Sequence, residues 1–497
     1  MQKPFFLYLT VLVIATCGLI YELVVSTTAS YLLGNAVTQF SLVIGLYLFA
    51  MGIGSWLSGH IENKLAQRFV EAELAVALVG GLCAPFLFWC FGQGWNLRLW
   101  LVALVLVVGT LVGVEVPLLI RLLKERVELK QAVARVLSFD YIGALFAALF
   151  FPMLFLPNLG LLGTSIGFGL VNAVVAFWST FLLELPRAVA RRLRFIAVGL
   201  GVGLGALLAY GKALEHFLES RLYAEPILYS ETTPYQRIVV TGSARQFSLF
   251  LDGSLQFNSR DEYRYHEALV HPALAHAPRH KRVLVLGGGD GLAIRELLRY
   301  PPLESILLVD LDARMTHLAQ HFGPLSQLNQ QALHHPKVHI LNADAMHFLA
   351  QSPPLNVDVA IVDFPDPNSL ALGKLYSAAF YRLLKRHLAP QAVASIQSTS
   401  PLTSRKSFWC IEATLRDAGL YTLPFRAQLP SFGEWGFILA SAAPLHKHHR
   451  LPAGLQYLNE ETWTALLSFP EDMKSLPSPV NRLNRQTLVH LYSNEGP

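Results

Sequence analysis

The chain has 497 residues, of which 53% are hydrophobic and only 15% are charged, against about 25% charged in an ordinary soluble domain. Almost all of the hydrophobic excess lies before residue 215, which predicts a membrane region followed by a soluble one. The net charge of +5 is modest and lies largely in loops between apolar segments, so nucleic-acid binding is not indicated. Four cysteines without a Cys-x-x-Cys pair suggest neither a disulfide framework nor a zinc site.

The first half of the chain contains apolar segments long enough to cross a bilayer, which takes about 20 residues per helix. About seven candidate spans lie near residues 5–33, 38–58, 72–92, 99–120, 137–157, 160–183 and 195–214. The first has no small-residue cleavage site and is predicted to be a retained span rather than a signal peptide.

Three acidic residues, Glu22, Glu115 and Asp140, lie inside or beside these spans. Charge at that depth is costly, so such residues are functional candidates by default. They could line a path for a cationic ligand. Alternatively, they could pair with Arg or Lys near the helix ends and stabilise the bundle.

The soluble half begins with an amphipathic connector near residues 212–223, followed by strand-like segments at 227–240 and 247–257. Asp252-Gly253 is a turn signal between apolar residues, so a small β-hairpin unit is predicted. A polar helix start follows at 260–271. Beyond it, apolar strands are predicted at 283–286, 306–309, 338–341, 357–362 and 393–396, with helical stretches between them. This alternation predicts an α/β domain with an open, Rossmann-like parallel sheet.

The first of these strands runs into a glycine-rich turn, Gly287-Gly-Gly-Asp-Gly291, and then into residues with helical spacing. Strand, glycine turn and helix N-terminus form a nucleoside-binding corner, because backbone without side chains lets a ligand come close. Asp290 is unusual there, since a loop that binds pyrophosphate should avoid a carboxylate. It indicates a cationic ligand, or else it only favours the helix N-terminus.

Carboxylates also follow the later strands, at Asp310, Asp344, Asp363 and Asp366. Ligands bind at this edge of such sheets. Asp310 lies about twenty residues past the glycine turn, where an acidic residue hydrogen-bonds ribose hydroxyls in nucleotide-binding folds. Asp344 is placed to accept a hydrogen bond from an adenine amino group. Asp363 and Asp366 should face the same pocket as Asp290. Three converging acids repel each other unless cations fill the space, and a sulfonium with one or two ammonium groups fits. A single strand-end Asp is more often a helix cap.

From about Glu225 to Leu439 the chain resembles the spermidine synthases, or polyamine aminopropyltransferases. The matching segments are Tyr235-Gln-Arg-Ile-Val-Val, LDGSLQFNSRDEYRYHE from Leu251 to Glu267, Gly287–Gly291, Asp310-Leu-Asp312, Asp344-Ala345, Asp363-Phe-Pro-Asp-Pro367 and Trp435-Gly-Phe437. The membrane half resembles the multi-span extension of some bacterial members. Departures from the family pattern, Phe364-Pro365 and Phe425-Arg426 among them, bear on the identity of the acceptor more than on the reaction type.

The resemblance implies transfer of the aminopropyl group of decarboxylated S-adenosylmethionine to putrescine or a related amine, giving spermidine and methylthioadenosine. It assigns the nucleoside to Gln236, Gly287, Asp310, Asp344 and Ala345, the polyamine to His266, Asp290, Asp363, Asp366, Tyr265 and Gln256, and the proton acceptor to Asp363. The sulfonium is a good leaving group, so no metal and no cofactor beyond the co-substrate is expected. Two alternatives remain: a methyltransferase that uses intact S-adenosylmethionine, and a polyamine transporter or sensor with a non-catalytic domain.

The predicted organisation is a multi-pass helical domain to residue 214, a connector and small β domain at 215–262, a Rossmann-like domain at 263–445 and a tail at 446–497. The expected partners are the small-molecule substrates, the lipid bilayer and a second copy of the chain. The location is the cell (inner) membrane. Basic loops after the fourth and sixth spans are predicted to be cytoplasmic, so seven spans favour a periplasmic soluble domain, whereas the substrate favours a cytoplasmic one.

Overall fold

The computed structural model describes residues 3–34, 36–124, 127–211, 214, 217 and 223–495. The chain divides into two compact units, Met1–Glu225 and Pro226–Pro497. Most of the predicted connector at 212–223 lies outside the described residues.

All regular secondary structure among the described residues of the first unit is helical. Its helices are α1 (Lys3–Leu33), α2 (Ala36–Ser58), α3 (Leu65–Gly81), α4 (Cys83–Gly92), α5 (Leu97–Lys124), α6 (Leu129–Phe150), α7 (Leu156–Leu182) and α8 (Arg187–Ala209). A π-helical turn, Phe151–Phe155, connects α6 to α7. Large apolar side chains such as Phe49, Trp56 and Phe195 are exposed, as lipid-facing positions would be.

Among the described residues, six helices are long and apolar enough to cross a membrane. One of them, Leu129–Leu182, has 54 residues, and at about 1.5 Å per residue it is more than twice as long as the hydrocarbon core is thick. Its backbone leaves the helical conformation at Gly160. The predicted spans at 137–157 and 160–183 both fall within this one element, so the count is six where the sequence suggested about seven.

The second unit opens with a four-stranded antiparallel sheet in chain order, β1 (Ile227–Thr232), β2 (Arg237–Gly242), β3 (Phe247–Leu251) and β4 (Ser254–Asn258). The turn at Asp252-Gly253 is confirmed, with positive φ at both residues. The segment 227–240, however, is two strands. Thr233 Oγ1 accepts hydrogen bonds from the backbone of Tyr235 and Gln236, a side-chain turn that the apolar pattern did not reveal.

The larger sheet has seven strands, β5 (Arg282–Gly287), β6 (Ser305–Asp310), β7 (Val338–Asn342), β8 (Val357–Asp363), β9 (Leu388–Gln397), β10 (Tyr421–Leu429) and β11 (Gly433–Ser441). Their order is β10-β11-β9-β8-β5-β6-β7. The five strands from β9 to β7 are parallel, as predicted. β10 and β11 were not predicted and are antiparallel, because a short turn joins them where a parallel pair needs a crossover.

Helices cover both faces of this sheet, and each face carries its own apolar cluster. They are α9 (Glu262–His276), α10 (Leu292–Leu297), α11 (Ala313–His321), α12 (Gly323–Leu328), α13 (Ala345–Gln351), α14 (Leu370–Gly373), α15 (Ala378–His387), α16 (Arg405–Asp417), α17 (Glu460–Leu466) and α18 (Thr487–Glu495).

The residues after 446, predicted only as a tail, pack onto the unit. The Glu267 carboxylate accepts hydrogen bonds from three consecutive backbone amides, Gln456 to Leu458. The carboxyl ends of the five parallel strands lie at one edge of the seven-stranded sheet. Most of the predicted site residues lie at this edge.

Candidate active site

The glycine corner between β5 and α10 is formed by the predicted strand, turn and helix. Gly287 has φ of 77°, and a Cβ there would lie 2.2 Å from the carbonyl oxygen of Asp363, so only glycine fits between β5 and the end of β8. The backbone N–H of Gly289 donates to Asp310 Oδ2 at 3.0 Å. A Cβ at Gly289 would lie 2.6 Å from the same oxygen. The corner is thus tied directly to the acid at the end of β6.

Asp363 is the last residue of β8 and pairs in register with Gly287. The Tyr265 hydroxyl donates a hydrogen bond to its Oδ1 at 2.6 Å. Burial, together with the nearby Asp290 carboxylate, raises the pKa of Asp363 to about 6. A carboxylate with a raised pKa beside a glycine corner is a good candidate for a proton acceptor.

Asp290 fulfils one of the two roles weighed from the sequence, at the helix N-terminus, while its contact with a cationic ligand stays a prediction. Its Oδ1 accepts a hydrogen bond from the backbone N–H of Leu292 at 2.8 Å, at the start of α10. It also interacts electrostatically with Asp363 and His266. Burial raises the pKa of Asp290, and the neighbouring His266 opposes that rise. The two carboxylates therefore favour a cation between them.

His266 on α9 is held by a buried ion pair. Its Nδ1 lies 2.8 Å from Glu262 Oε2, and Arg295 lies 2.7 Å from the other oxygen of Glu262. Burial disfavours the charged imidazole, but the Glu262 carboxylate outweighs it and raises the pKa of His266. Sequence analysis identified His266 but neither of these two partners: Glu262 lies one helical turn before His266 on α9, whereas Arg295 becomes a neighbour only when α9 packs on α10.

Asp366 is surrounded by donors from distant parts of the chain. Gln397 Nε2 donates to Oδ1 at 2.7 Å, and the Tyr492 hydroxyl donates to Oδ2 at 2.7 Å. Thr399, which has φ of 60°, donates to Oδ2 at 3.4 Å. Burial raises the pKa of Asp366, and these hydrogen bonds oppose the rise. Tyr492 comes from α18, in the segment where the sequence showed no motif.

We expect Tyr492→Phe to raise the KM for the amine acceptor about tenfold and to change kcat much less. The hydroxyl orients Asp366, and a hydrogen bond to a charged group contributes about 1.5–3 kcal/mol. Steady-state kinetics with varied amine at saturating donor would measure the effect. Tyr421→Phe, at an exposed tyrosine, is the matched control. An unchanged KM in Tyr492→Phe would mean that α18 is only structural.

The predicted nucleoside side is organised around β6. Asp310 Oδ1 accepts from the backbone N–H of Asp312 at 2.9 Å, and burial raises the pKa of Asp310 to about 6. Gln236, from the small sheet, contacts this side of the site. Its Nε2 donates a hydrogen bond to Asp312 Oδ2 at 3.0 Å. Thr233 donates to the same oxygen at 2.8 Å. Asp312, which appeared in the sequence only as part of a motif, thus connects the two sheets.

Asp344 has partners that the sequence did not predict. It caps α13 by accepting from the backbone N–H of His347 at 2.9 Å, and it pairs with Lys374 at 2.7 Å. The Lys374 ammonium holds the pKa of Asp344 below its usual range, against the opposing effect of burial. Its neighbour Ala345 is buried. The adenine contact assigned to this pair stays a prediction.

Not every predicted site residue forms a described hydrogen bond with these carboxylates. The described hydrogen bond of Gln256 goes to the backbone of Ser254, two residues away. Arg426, one of the departures from the family pattern, pairs with Glu434 at 2.7 Å and also donates to the carbonyl of Ser468. The Tyr376 hydroxyl lies within hydrogen-bonding distance of both carbonyl oxygens of the unusual Phe364-Pro365 segment and, at 2.8 Å, of Gln397 Oε1.

The strand order and the glycine corner define a Rossmann-like α/β class of protein, in which a nucleoside-type ligand binds at the carboxyl ends of the parallel strands. Residues 262–450 match the family model described as spermine/spermidine synthase domain. The chain is 48% identical over 489 residues to a polyamine aminopropyltransferase of Leptospira interrogans, covering 98% of each chain. It is 47% identical over 500 residues to polyamine aminopropyltransferase 2 of Ralstonia nicotianae, again covering 98% of each. The chain belongs to the polyamine aminopropyltransferase family.

A solved structure is also similar to this chain: the crystal structure of a spermidine synthase in complex with the transition-state analogue AdoDATO. It is 25% identical with a TM-score of 0.46, and the match covers 49% of this chain and 85% of that one.

Proposed function

We propose that this enzyme transfers the aminopropyl group of decarboxylated S-adenosylmethionine to putrescine or a closely related amine, releasing methylthioadenosine. The observation that carries the substrate assignment is the convergence of Asp290 and Asp363 beside the glycine corner, with their charges close enough to interact. Such a pair is stable when a cation lies between the two groups. The donor carries a sulfonium and an ammonium, and the acceptor carries ammonium groups.

The reaction is one displacement. The acceptor nitrogen attacks the propyl carbon next to the sulfonium, the carbon–sulfur bond breaks, and its electron pair stays on the sulfur of neutral methylthioadenosine. An alkylammonium has a pKa near 10.4, if lysine is the guide, so it must lose a proton before it attacks. Asp363 accepts this proton, and Tyr265 fixes the direction of its carboxylate. Holding donor and acceptor together contributes much of the remaining acceleration.

The acid limb of the pH profile should report Asp363. The carboxylate accepts a proton only when it is ionised, so kcat/KM is expected to fall as the pH drops below about 6. The Tyr265 hydroxyl lowers the pKa of Asp363 by hydrogen bonding, so Tyr265→Phe should move the acid limb to higher pH. Methylthioadenosine release measured across the acidic and neutral range tests both statements. A limb that shifts to lower pH in the variant would contradict the assignment.

The comparisons favour neither alternative function. Product analysis with purified protein separates all three possibilities. Decarboxylated donor with a panel of diamines and polyamines should give methylthioadenosine and a lengthened polyamine. Adenosylhomocysteine formed from intact S-adenosylmethionine would indicate a methyltransferase instead, and polyamine binding without any product would indicate a transporter or sensor.

We also propose a multi-pass location in the cell membrane, supported by the six apolar helices among the described residues. The side of the catalytic unit depends on how often the chain crosses. If Leu129–Leu182 crosses twice, the basic segments at its two ends lie on one side and the chain after α8 leaves on the other. A cysteine introduced at exposed His448 and labelled in intact spheroplasts with an impermeant maleimide would determine the side. Size-exclusion chromatography with light scattering would test the proposed homo-oligomer.

A further inference from the structure

A row of buried ionisable side chains connects His266 to the protein surface. The side chains of His266, Glu262, Arg295 and Glu296 are between 2% and 9% exposed, and each contacts the next at 2.7–2.9 Å. The outermost member, Arg299, lies 3.1 Å from Glu296 and is 41% exposed. Buried ion pairs add little net stability, because the cost of desolvation offsets their attraction. A row that begins at a predicted substrate contact therefore calls for a functional explanation.

The Glu262 carboxylate is bound by both arms of one guanidinium group. Arg295 Nη1 donates to Oε1 at 2.7 Å, and Arg295 Nη2 donates to Oε2 at 3.0 Å. This two-bond geometry makes a strong ion pair, and a guanidinium does not lose its proton in proteins. Burial alone would raise the pKa of Glu262, but His266 and Arg295 lower it. Glu262 is therefore an ionised carboxylate, whose oxygens can accept hydrogen bonds but cannot donate them.

This carboxylate determines which ring nitrogen of His266 carries the hydrogen. His266 Nδ1 lies 2.8 Å from Glu262 Oε2 and 2.9 Å from the backbone carbonyl oxygen of Glu262. Both oxygens are acceptors, so Nδ1 must carry a hydrogen, and in a neutral imidazole Nε2 then has the lone pair. Among the described residues, Nε2 takes part in no hydrogen bond, although the side chain is 98% buried. Because buried polar atoms nearly always have a partner, a free Nε2 indicates that a ligand supplies the donor.

Hydrogen bonds place both ends of this arrangement at the candidate active site. The ring of His266 lies 5.0 Å from that of Tyr265, whose hydroxyl donates to Asp363 at 2.6 Å. Arg295 lies on the helix that follows the glycine corner, and its backbone N–H donates to the carbonyl oxygen of Gly291 at 3.0 Å. The imidazole and the guanidinium are therefore held by the same two elements that present the carboxylates of the site.

We infer that Glu262 and Arg295 are positioning residues: Glu262 holds the imidazole hydrogen on Nδ1, so that Nε2 of His266 accepts an N–H from a substrate ammonium group. Arg295 keeps Glu262 ionised and fixes the direction of its carboxylate. The opposite tautomer would present an N–H at Nε2, which cannot bind an ammonium group. The inference rests on the proposed function, because the ammonium belongs to the decarboxylated donor or to the amine acceptor.

Glu262→Gln tests this role, because it keeps the size of the side chain and reverses its hydrogen bonding. The amide oxygen can still accept from Arg295, but the amide nitrogen then donates to Nδ1, and the imidazole hydrogen moves to Nε2. We expect the Kd of spermidine to rise about tenfold or more and that of methylthioadenosine to stay within about twofold. Spermidine carries ammonium groups from both donor and acceptor, whereas methylthioadenosine carries none.

Equilibrium dialysis of labelled spermidine and labelled methylthioadenosine against the full chain in lipid nanodiscs gives both constants. The measurement is made at about pH 8.5, well above the ordinary histidine pKa of about 6.5. Glu296→Gln is the matched control, since it removes the same charge from the same buried row. Glu296 contacts Arg295 and His271 but forms no described hydrogen bond with His266. Both ligands should bind this control within about twofold of the wild type, whereas a purely structural role would make the two variants alike.

Wild-type spermidine binding in Glu262→Gln would overturn the inference, and so would equal losses of spermidine binding in Glu262→Gln and Glu296→Gln. If Glu262→Gln does not fold, Arg295→Lys decides. An ammonium group cannot form the paired bonds of a guanidinium, so spermidine should bind this variant about threefold more weakly or worse, with methylthioadenosine unchanged. Unchanged spermidine binding there would also overturn the inference. Failure of the proposed function is a separate result: the wild type would then release no methylthioadenosine from the decarboxylated donor.

Discussion

Asp363→Asn is expected to lower kcat by about 10³-fold, within the range that general acid–base catalysis contributes. The amide keeps the size of the side chain and can still accept a hydrogen bond from Tyr265, but it cannot take a proton from the attacking amine. KM for the donor should change little, since the predicted nucleoside side lies at the ends of β5 and β6. Methylthioadenosine release under saturating conditions gives the measurement.

Asp472→Asn is the matched control for this variant. It removes the same charge from an exposed position far along the chain. It should retain wild-type turnover. If Asp363→Asn turned over at the wild-type rate, the proton would have to leave by another route, and Asp363 would be only a ligand of the amine.

Asp290→Asn is expected to lower kcat/KM for decarboxylated S-adenosylmethionine by about 10²-fold, since a charge-assisted hydrogen bond contributes about 1.5–3 kcal/mol. We propose that Asp290 also faces the free ammonium of the decarboxylated donor and would repel the carboxylate of intact S-adenosylmethionine. The same substitution should therefore strengthen inhibition by intact S-adenosylmethionine. The second effect is the more diagnostic one, because a loss of structure would weaken the binding of both ligands.

Initial rates with varied donor, and inhibition constants for intact S-adenosylmethionine, would measure both effects. Asp417→Asn, which breaks a surface ion pair with Arg382, is a control that should alter neither. If Asp290→Asn weakened the binding of both ligands equally, the substitution would have disrupted the glycine corner, and Asp290 would not select between the ligands by charge. In that case the N-terminal bond to Leu292 would be the main role of Asp290.

Much of the candidate site was predictable because its parts are local. The strand, glycine turn and helix start around Gly287 are contiguous, and carboxylates that follow parallel strands must reach one edge of the sheet. The turn at Asp252-Gly253 is likewise a local signal. The second turn, at Thr233, was missed because it depends on a side-chain hydroxyl that accepts from the backbone. The hairpin of β10 and β11 was missed because apolar runs do not show strand direction.

The amino-acid pattern by itself determined the two-part organisation, the apolar spans, the glycine corner and the carboxylates at the strand ends, because each of these depends on neighbours within a few residues. Only the tertiary structure decided that Tyr492 reaches Asp366 across 126 positions and that Arg295 pairs with the Glu262 carboxylate beside His266. Such contacts arise when helices and strands pack, and the free energy of packing depends on whole faces that no short spacing encodes.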